Sequence, residues 1–516
     1  MSAPASEVHR RRRSHRPWLF RFLAILIGLA PVVALEAMLR WHDHPPMSPY
    51  SGAAPNLFIQ DELGSMWTTD PQHSNHFYSV RFPVAKAEQT KRIFVLGGST
   101  VAGRPFATET AFSTWLDVDL RHCESEFEFE VVNCGGVSYG IRRLRPILDE
   151  VLTLQPDAVV LYTGHNEFLE HHEVLAQPWW RPRLANWLSN LFGPHSAPDQ
   201  QTRMNVHPDA PADDPFVIRT RLDQHGGLQQ YRRGSLNRRD VEAIFEDSLI
   251  KMVRQCSAAG VPILFCVPVS DVIATPPFKI EPDPSLPTSD ADAVRVLWDS
   301  IVDGTSPSNA SAARAEQVLE LDPGHAGAHY LLGRKAIQRP IRNDWLGVPD
   351  HAVEHLIQAR DEDVCPLRAS SRIEAIVREV ATQEQVPLVE TAGCLDGHRV
   401  ANDHERLIAH PRWFADHVHP TIAGHQAIGA ALARQFEKMG WVRHTGSSDI
   451  DRQNANRIHL QQLDETYFAS GRQRLEGLQR WAAGRAGASP KRVVSDDHDR
   501  RDGSSRPSGM QTDVSP

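Results

Sequence analysis

Four short blocks in this sequence set polar side chains beside glycines or prolines. They are Gly97-Gly98-Ser99-Thr100, Asn133-Cys134-Gly135-Gly136, Gly164-His165-Asn166-Glu167 and Asp416-His417-Val418-His419-Pro420. The chemistry they suggest starts at Ser99. A serine after two glycines can sit on a tight turn where a substrate approaches the backbone closely. Its hydroxyl becomes a useful nucleophile only when a base removes the proton. The rival reading is a phosphate-binding loop, because Gly98 and Gly103 have the G-x4-G spacing. It fails at Arg104-Pro105, which stand where that loop needs its lysine and its magnesium-binding hydroxyl.

The elements that must position these blocks can be read from periodicity. Arg92–Leu96 (RIFVL), Phe127–Asn133 (FEFEVVN), Asp157–Tyr162 (DAVVLY), Val261–Val267 (VPILFCV) and Val386–Glu390 (VPLVE) read as short buried strands. Helical patterns near 110–121, 139–154, 239–259, 366–384 and 421–438 separate or follow them. Continuous apolar strands alternating with helices predict an α/β fold, a parallel five-stranded sheet covered on both faces. In such sheets ligands gather beyond the carboxyl ends of the strands. The first three blocks fall at strand ends, and the fourth falls just before helix 421–438.

In this order the four blocks resemble the SGNH (GDSL-like) hydrolase family, of a membrane-anchored type, over residues 93–425. The resemblance implies a three-layer α/β/α sandwich, SGNH- or flavodoxin-like. It also implies a catalytic Ser99, with His419 as its base and Asp416 holding the imidazole tautomer. Three oxyanion donors are carried over: the backbone N–H groups of Ser99 and Gly135 and the side-chain amide of Asn166. Gly136 could share or replace the role of Gly135. The sequence departs from the family pattern in reading GGST where Asp usually precedes the serine, and in carrying Glu167 where Asp is usual.

No cofactor or metal is expected. His171, His172, His404, His410, His417 and His425 invite a metal reading, but HExxH is absent and chance clustering accounts for them in a chain with 26 histidines. The cysteines, Cys123, Cys134, Cys256, Cys266, Cys365 and Cys394, form no CxxC pair, so buried free thiols are expected, with one or two disulfides as the alternative in an exported domain. A formal net charge of −9 gives no sign of a nucleic-acid partner. With 41% hydrophobic and 23% charged residues over 516 positions, the chain is globular. Wholesale disorder, collagen and a multi-span membrane protein are excluded.

Outside the core the chain divides as follows. Residues 1–17 carry the basic block Arg10–Arg13 and Arg16, and 18–39 read as an uncleaved signal anchor. The arginines then stay cytoplasmic, and the catalytic domain is extracytoplasmic, in a periplasm. Residues 41–90 form an extended lead-in, and 91–273 and 366–440 the two parts of the core. Between them, 274–365 is a helical insertion that looks tetratricopeptide-like, with too few repeats to stand alone. A helical segment at 441–485 and a disordered tail at 486–516 complete the chain. The stretch 175–235, with Trp179, Trp180 and Trp187, reads as a loop or lid, and Asn309-Ala310-Ser311 is a glycosylation tripeptide of little weight. The expected activity is cleavage of O-acyl esters, acetyl foremost. An O-acetyltransferase acting on a surface or exported polysaccharide is the alternative, and a non-enzymatic assembly factor with a protein partner at the insertion is a third reading.

Overall fold

The computed structural model describes residues 56–169, 222, 227–235, 238–304, 310–337, 345, 348–400, 403–444 and 448–485. The anchor segment, His171 and His172, the Trp179–Trp187 stretch, Asn309 and the tail at 486–516 lie outside the described residues. All described residues belong to one unit, Asn56–His171 with Ile218–Pro516.

Its centre is a parallel sheet. The strands are β4 (Thr90–Gly97), β5 (Glu128–Gly135), β6 (Ala158–Tyr162), β7 (Ile263–Cys266) and β8 (Leu388–Val389), in the order β5-β4-β6-β7-β8. Ile93, Phe94, Val95 and Leu96 are all buried, so consecutive residues of β4 are covered on both faces. That double burial is why β4, β6 and β7 read as continuous apolar runs instead of alternating ones. Counted from β4, the order is 2-1-3-4-5, and the crevice of such a sheet opens where chain direction reverses around the first strand.

Helices α1 (Phe112–Arg121), α2 (Ile141–Val151) and α3 (Arg238–Ala258) follow the first three strands. The insertion then contributes α4 (Thr288–Val302), α5 (Ser311–Leu321), α6 (Ala326–Ala336) and α7 (Asp350–Asp361), followed by α8 (Ser371–Gln383) and α9 (Ile422–Lys438). Phe112 and Leu116 of α1, and Ile428 and Leu432 of α9, pack with Ile93, Val95 and Val160 in one core. On the other side α2 and α8 pack against α3, and also touch β4 and β7. The insertion keeps a small core of its own around Val294, Ala315, Val318 and Leu331.

Three features add detail to the sequence expectation. The end of the 41–90 lead-in is folded: β1 (Phe58–Gln60), β2 (Met66–Thr69) and β3 (Arg81–Pro83) form an antiparallel sheet. Strands this short show too few alternations to be read from sequence. The C-terminal pattern is two helices, α10 (Ser448–Gln462) and α11 (Glu465–Arg485). A hairpin, β9 (His398–Val400) with β10 (Asp403–Ile408), follows β8. Among the described residues, no helix is long and apolar enough to cross a membrane.

Candidate active site

The first, third and fourth blocks converge at the carboxyl end of the sheet. Ser99 lies on the turn that leaves β4, where Ala102 N–H donates to Gly98 O (3.1 Å) and Arg104 N–H to Ser99 O (3.1 Å). The fourth block is a closed loop. Ala415 N–H donates to His419 O (2.8 Å), and Thr421 N–H to Trp413 O (2.7 Å). Thr421 then caps α9 by accepting from Gly424 N–H (3.1 Å).

Asp416, His419 and Ser99 form one hydrogen-bonded chain. Asp416 Oδ2 lies 2.7 Å from His419 Nδ1, and His419 Nε2 lies 2.7 Å from Ser99 Oγ. The other carboxylate oxygen accepts from the N–H groups of Val418 (3.0 Å) and His419 (2.8 Å), which fixes the rotamer of Asp416. Burial works against the Asp416 charge, but the attraction of His419 and His417 and these hydrogen bonds outweigh it. The carboxyl is held well below the usual carboxylate range. An ionised Asp416 needs a proton on Nδ1, so Nε2 is left as the acceptor facing the serine.

The three groups expected to meet an oxyanion are placed unevenly. Ser99 N–H has no backbone acceptor among the described residues. Asn166 Nδ2 gives one hydrogen to Tyr139 O (3.0 Å) and keeps a second. Its amide lies against the Ser99 turn: a Cβ at Gly98 would come within 2.7 Å of Asn166 Nδ2. Gly135 is different. Its N–H donates to Asn133 Oδ1 (2.9 Å), and the N–H of Gly136 donates to Gly97 O (2.9 Å). Neither second-block N–H is left for an oxyanion here, so the geometry supplies two donors where the resemblance implied three.

Supporting residues explain how the blocks hold their shape. Asn133 also donates to Val101 O (2.6 Å) and Ser113 Oγ (2.7 Å), joining β5 to the Ser99 turn and to α1. Glu167 accepts from Ile141 N–H (3.2 Å), so its carboxylate sits at the N-terminus of α2. Gly164 has φ +134°, and a Cβ there would lie 2.8 Å from Ile373. A recess at Ser99 is lined by Gly98, Thr100, Tyr139, Tyr162, Thr163, His165 and Asn166. Sequence reading assigned no role to Asn133 or His165. Their position inside blocks already singled out was the available signal.

Two of the remaining histidines, His425 and His410, have backbone partners. His425 Nδ1 accepts from Phe112 N–H (3.2 Å) and His410 Nδ1 from Arg412 N–H (3.2 Å). Among the described residues no group of three or more His, Cys, Asp or Glu side chains could hold a metal ion. None of the six cysteines is in a disulfide. Burial pushes the thiols of Cys256 and Cys394 up to about 12. They are not nucleophiles near neutral pH.

No family model matches the sequence, and no curated protein matches it. Solved structures give distant similarity. An acetylxylan esterase from Geobacillus stearothermophilus is 15% identical, with 70% of this chain and 100% of that one covered and a TM-score of 0.31. A lipase/acylhydrolase from Enterococcus faecalis is 12% identical, with 68% and 96% covered and a TM-score of 0.29. A protein assigned to the lipolytic G-D-S-L family, from Desulfitobacterium hafniense, is 10% identical, with 67% and 98% covered and a TM-score of 0.29. At such scores the likeness carries no functional weight, which rests on the site itself.

Proposed function

We propose that this chain is an SGNH-type serine esterase that cleaves O-acyl esters, acetyl esters foremost, through an acyl-enzyme on Ser99. The carrying observation is the hydrogen-bonded chain from Asp416 through His419 to Ser99, with 2.7 Å at both contacts. In the first step Ser99 Oγ bonds to the ester carbonyl carbon, and its proton passes to His419 Nε2. The oxyanion is met by Ser99 N–H and the free hydrogen of Asn166 Nδ2. Collapse breaks the carbon–oxygen bond of the ester, and the departing alkoxide takes the proton from His419. Water then bonds to the acyl carbon and gives its proton to His419; collapse breaks the bond to Ser99 Oγ, which takes that proton back as the carboxylic acid leaves.

A sugar hydroxyl in place of that water would make the same site an O-acetyltransferase for a surface or exported polysaccharide. The proposal includes retention at a membrane through residues 18–39, with the catalytic domain extracytoplasmic, because a basic block directly precedes that apolar stretch. Turnover of p-nitrophenyl acetate by the wild type, lost in Ser99→Ala, tests the esterase reading. A folded wild type with no turnover and no labelling by a fluorophosphonate would overturn it and leave the helical insertion as the functional surface.

A further inference from the structure

The helical insertion leaves the core after β7 and rejoins it before α8, and both stems touch the site. On the outgoing stem, Val269 N–H donates to Tyr162 Oη (3.0 Å) and Asp271 N–H to His417 O (2.9 Å). Further along, the Phe278 ring meets the His417 ring edge-on at 5.0 Å, and His417 in turn meets His419 at 6.1 Å. On the return stem, Ala369 N–H donates to His165 Nδ1 (3.1 Å). One stem therefore backs the base and the other fixes the residue before Asn166.

A buried arginine is one of the side chains that join the stems. Arg368, on the return stem, is 2% exposed. Its Nη1 donates to Asp271 O (2.9 Å) and Thr275 O (2.9 Å) of the outgoing stem, and its Nη2 to Pro276 O (3.4 Å). The guanidinium also lies 5.8 Å from the Phe278 ring centre. Its carboxylate neighbour Asp363, 3.8 Å away, accepts from Phe278 N–H (2.7 Å) and Lys279 N–H (3.0 Å), so the stem is gripped from two sides. A buried cation costs several kcal/mol to desolvate, and an apolar residue would hold two stems together more cheaply. What the planar fork adds is fixed geometry across successive carbonyls.

We propose that Arg368 is a positioning residue for the reaction. It clamps the two stems of the insertion so that Phe278 and His417 hold His419 in line with Ser99, while Ala369 holds His165 and hence Asn166. The proposal rests on the reading of Ser99, His419 and Asp416 as catalytic. It gives the insertion a role that needs no partner: a frame for the site.

The test uses the full chain. Wild type, Arg368→Lys, Arg368→Met, Phe278→Leu and Ser99→Ala are compared by fluorophosphonate labelling rate, by kcat and KM on p-nitrophenyl acetate, and by Tm. At a temperature where each variant is folded, Arg368→Lys should lower kcat and the labelling rate together by about 10- to 100-fold. KM should stay within about twofold, because ester binding does not use Arg368. Phe278→Leu keeps the buried charge and should shift kcat in the same direction by less, which preserves the test if Arg368→Met does not fold. A purely structural role predicts lower Tm with wild-type kcat and labelling in both Arg368→Lys and Phe278→Leu, and that result would overturn the proposal. A wild type that neither labels nor turns over would overturn the esterase reading instead, and the clamp with it.

Discussion

At the scale of single residues the account divides the site into a reacting pair, an orienting carboxylate and two oxyanion donors. Ser99→Ala and His419→Ala should each remove nearly all ester turnover, measured with p-nitrophenyl acetate. Asp416→Asn leaves the loop's shape but favours the wrong imidazole tautomer, so kcat should fall by about four orders of magnitude. Asn166→Ala should cost about 10²- to 10³-fold in kcat, and a silent Asn166→Ala would remove it from the oxyanion site. His165 carries a pH prediction. Burial first, then the nearby His417 and His419, push its imidazole down to about 3. A histidine free to titrate near 6.5 in the unfolded chain then takes up a proton there and not in the native state. Its contribution to stability is present above that pH and is lost as pH falls toward about 3. In urea unfolding, the stability of wild type minus that of His165→Asn should be flat above pH 7 and fall from about pH 6.5 downward, by up to about 1.4 kcal/mol per pH unit. A gap that stays constant down to pH 4 would contradict the assignment. Ser99 and Asn166 stand out in the sequence because they follow apolar strands in glycine-bearing blocks, and Asp416 and His419 because they share a short polar block before a helix; His165 lay in such a block without a role. The fate of the Gly135 N–H was not legible, since a hydrogen-bond direction toward Asn133 Oδ1 leaves no mark in composition or spacing.

At the scale of elements, the turns after β4 and β6 bring Ser99 and Asn166 together, and α9 carries the His419 loop. Gly164 is where that arrangement tolerates least change. Its positive φ and the 2.8 Å approach to Ile373 mean that Gly164→Ala should destabilise the fold by about 1–3 kcal/mol. The Asn166 donor should be displaced as well, so a Tm unchanged from wild type would argue against the strained turn. The C-terminal pair α10 and α11 grips the segment after the Ser99 turn. Tyr467 Oη lies 2.8 Å from Thr110 Oγ1, the Tyr467 ring stacks on Phe106 at 5.9 Å, and Arg474 Nε donates to Pro105 O (2.8 Å). Strands β4, β6 and β7 were readable because double-sided burial writes an uninterrupted apolar run. The β1–β3 sheet was not, and the clamp at Arg368 was invisible for another reason. A lone arginine takes its role from where two distant stems meet, and no local pattern records that meeting.

At the scale of the whole molecule, the sequence combines an acidic balance with a basic, apolar leader, and its α/β core is interrupted by a helical insertion. The proposed membrane attachment predicts that the full chain sediments with membranes after expression. A chain starting at Trp41 should remain in the supernatant and keep its esterase activity. Co-sedimentation of both forms, or of neither, would contradict an anchor at 18–39. The proposed chemistry stands on the activation of Ser99 by His419, and fluorophosphonate labelling of the chain starting at Trp41, alongside its Ser99→Ala and His419→Ala forms, puts that to the test. The wild type should label stoichiometrically, at Ser99, with almost no labelling in either variant. Labelling that persists in Ser99→Ala, or a folded wild type that resists the reagent, would contradict it.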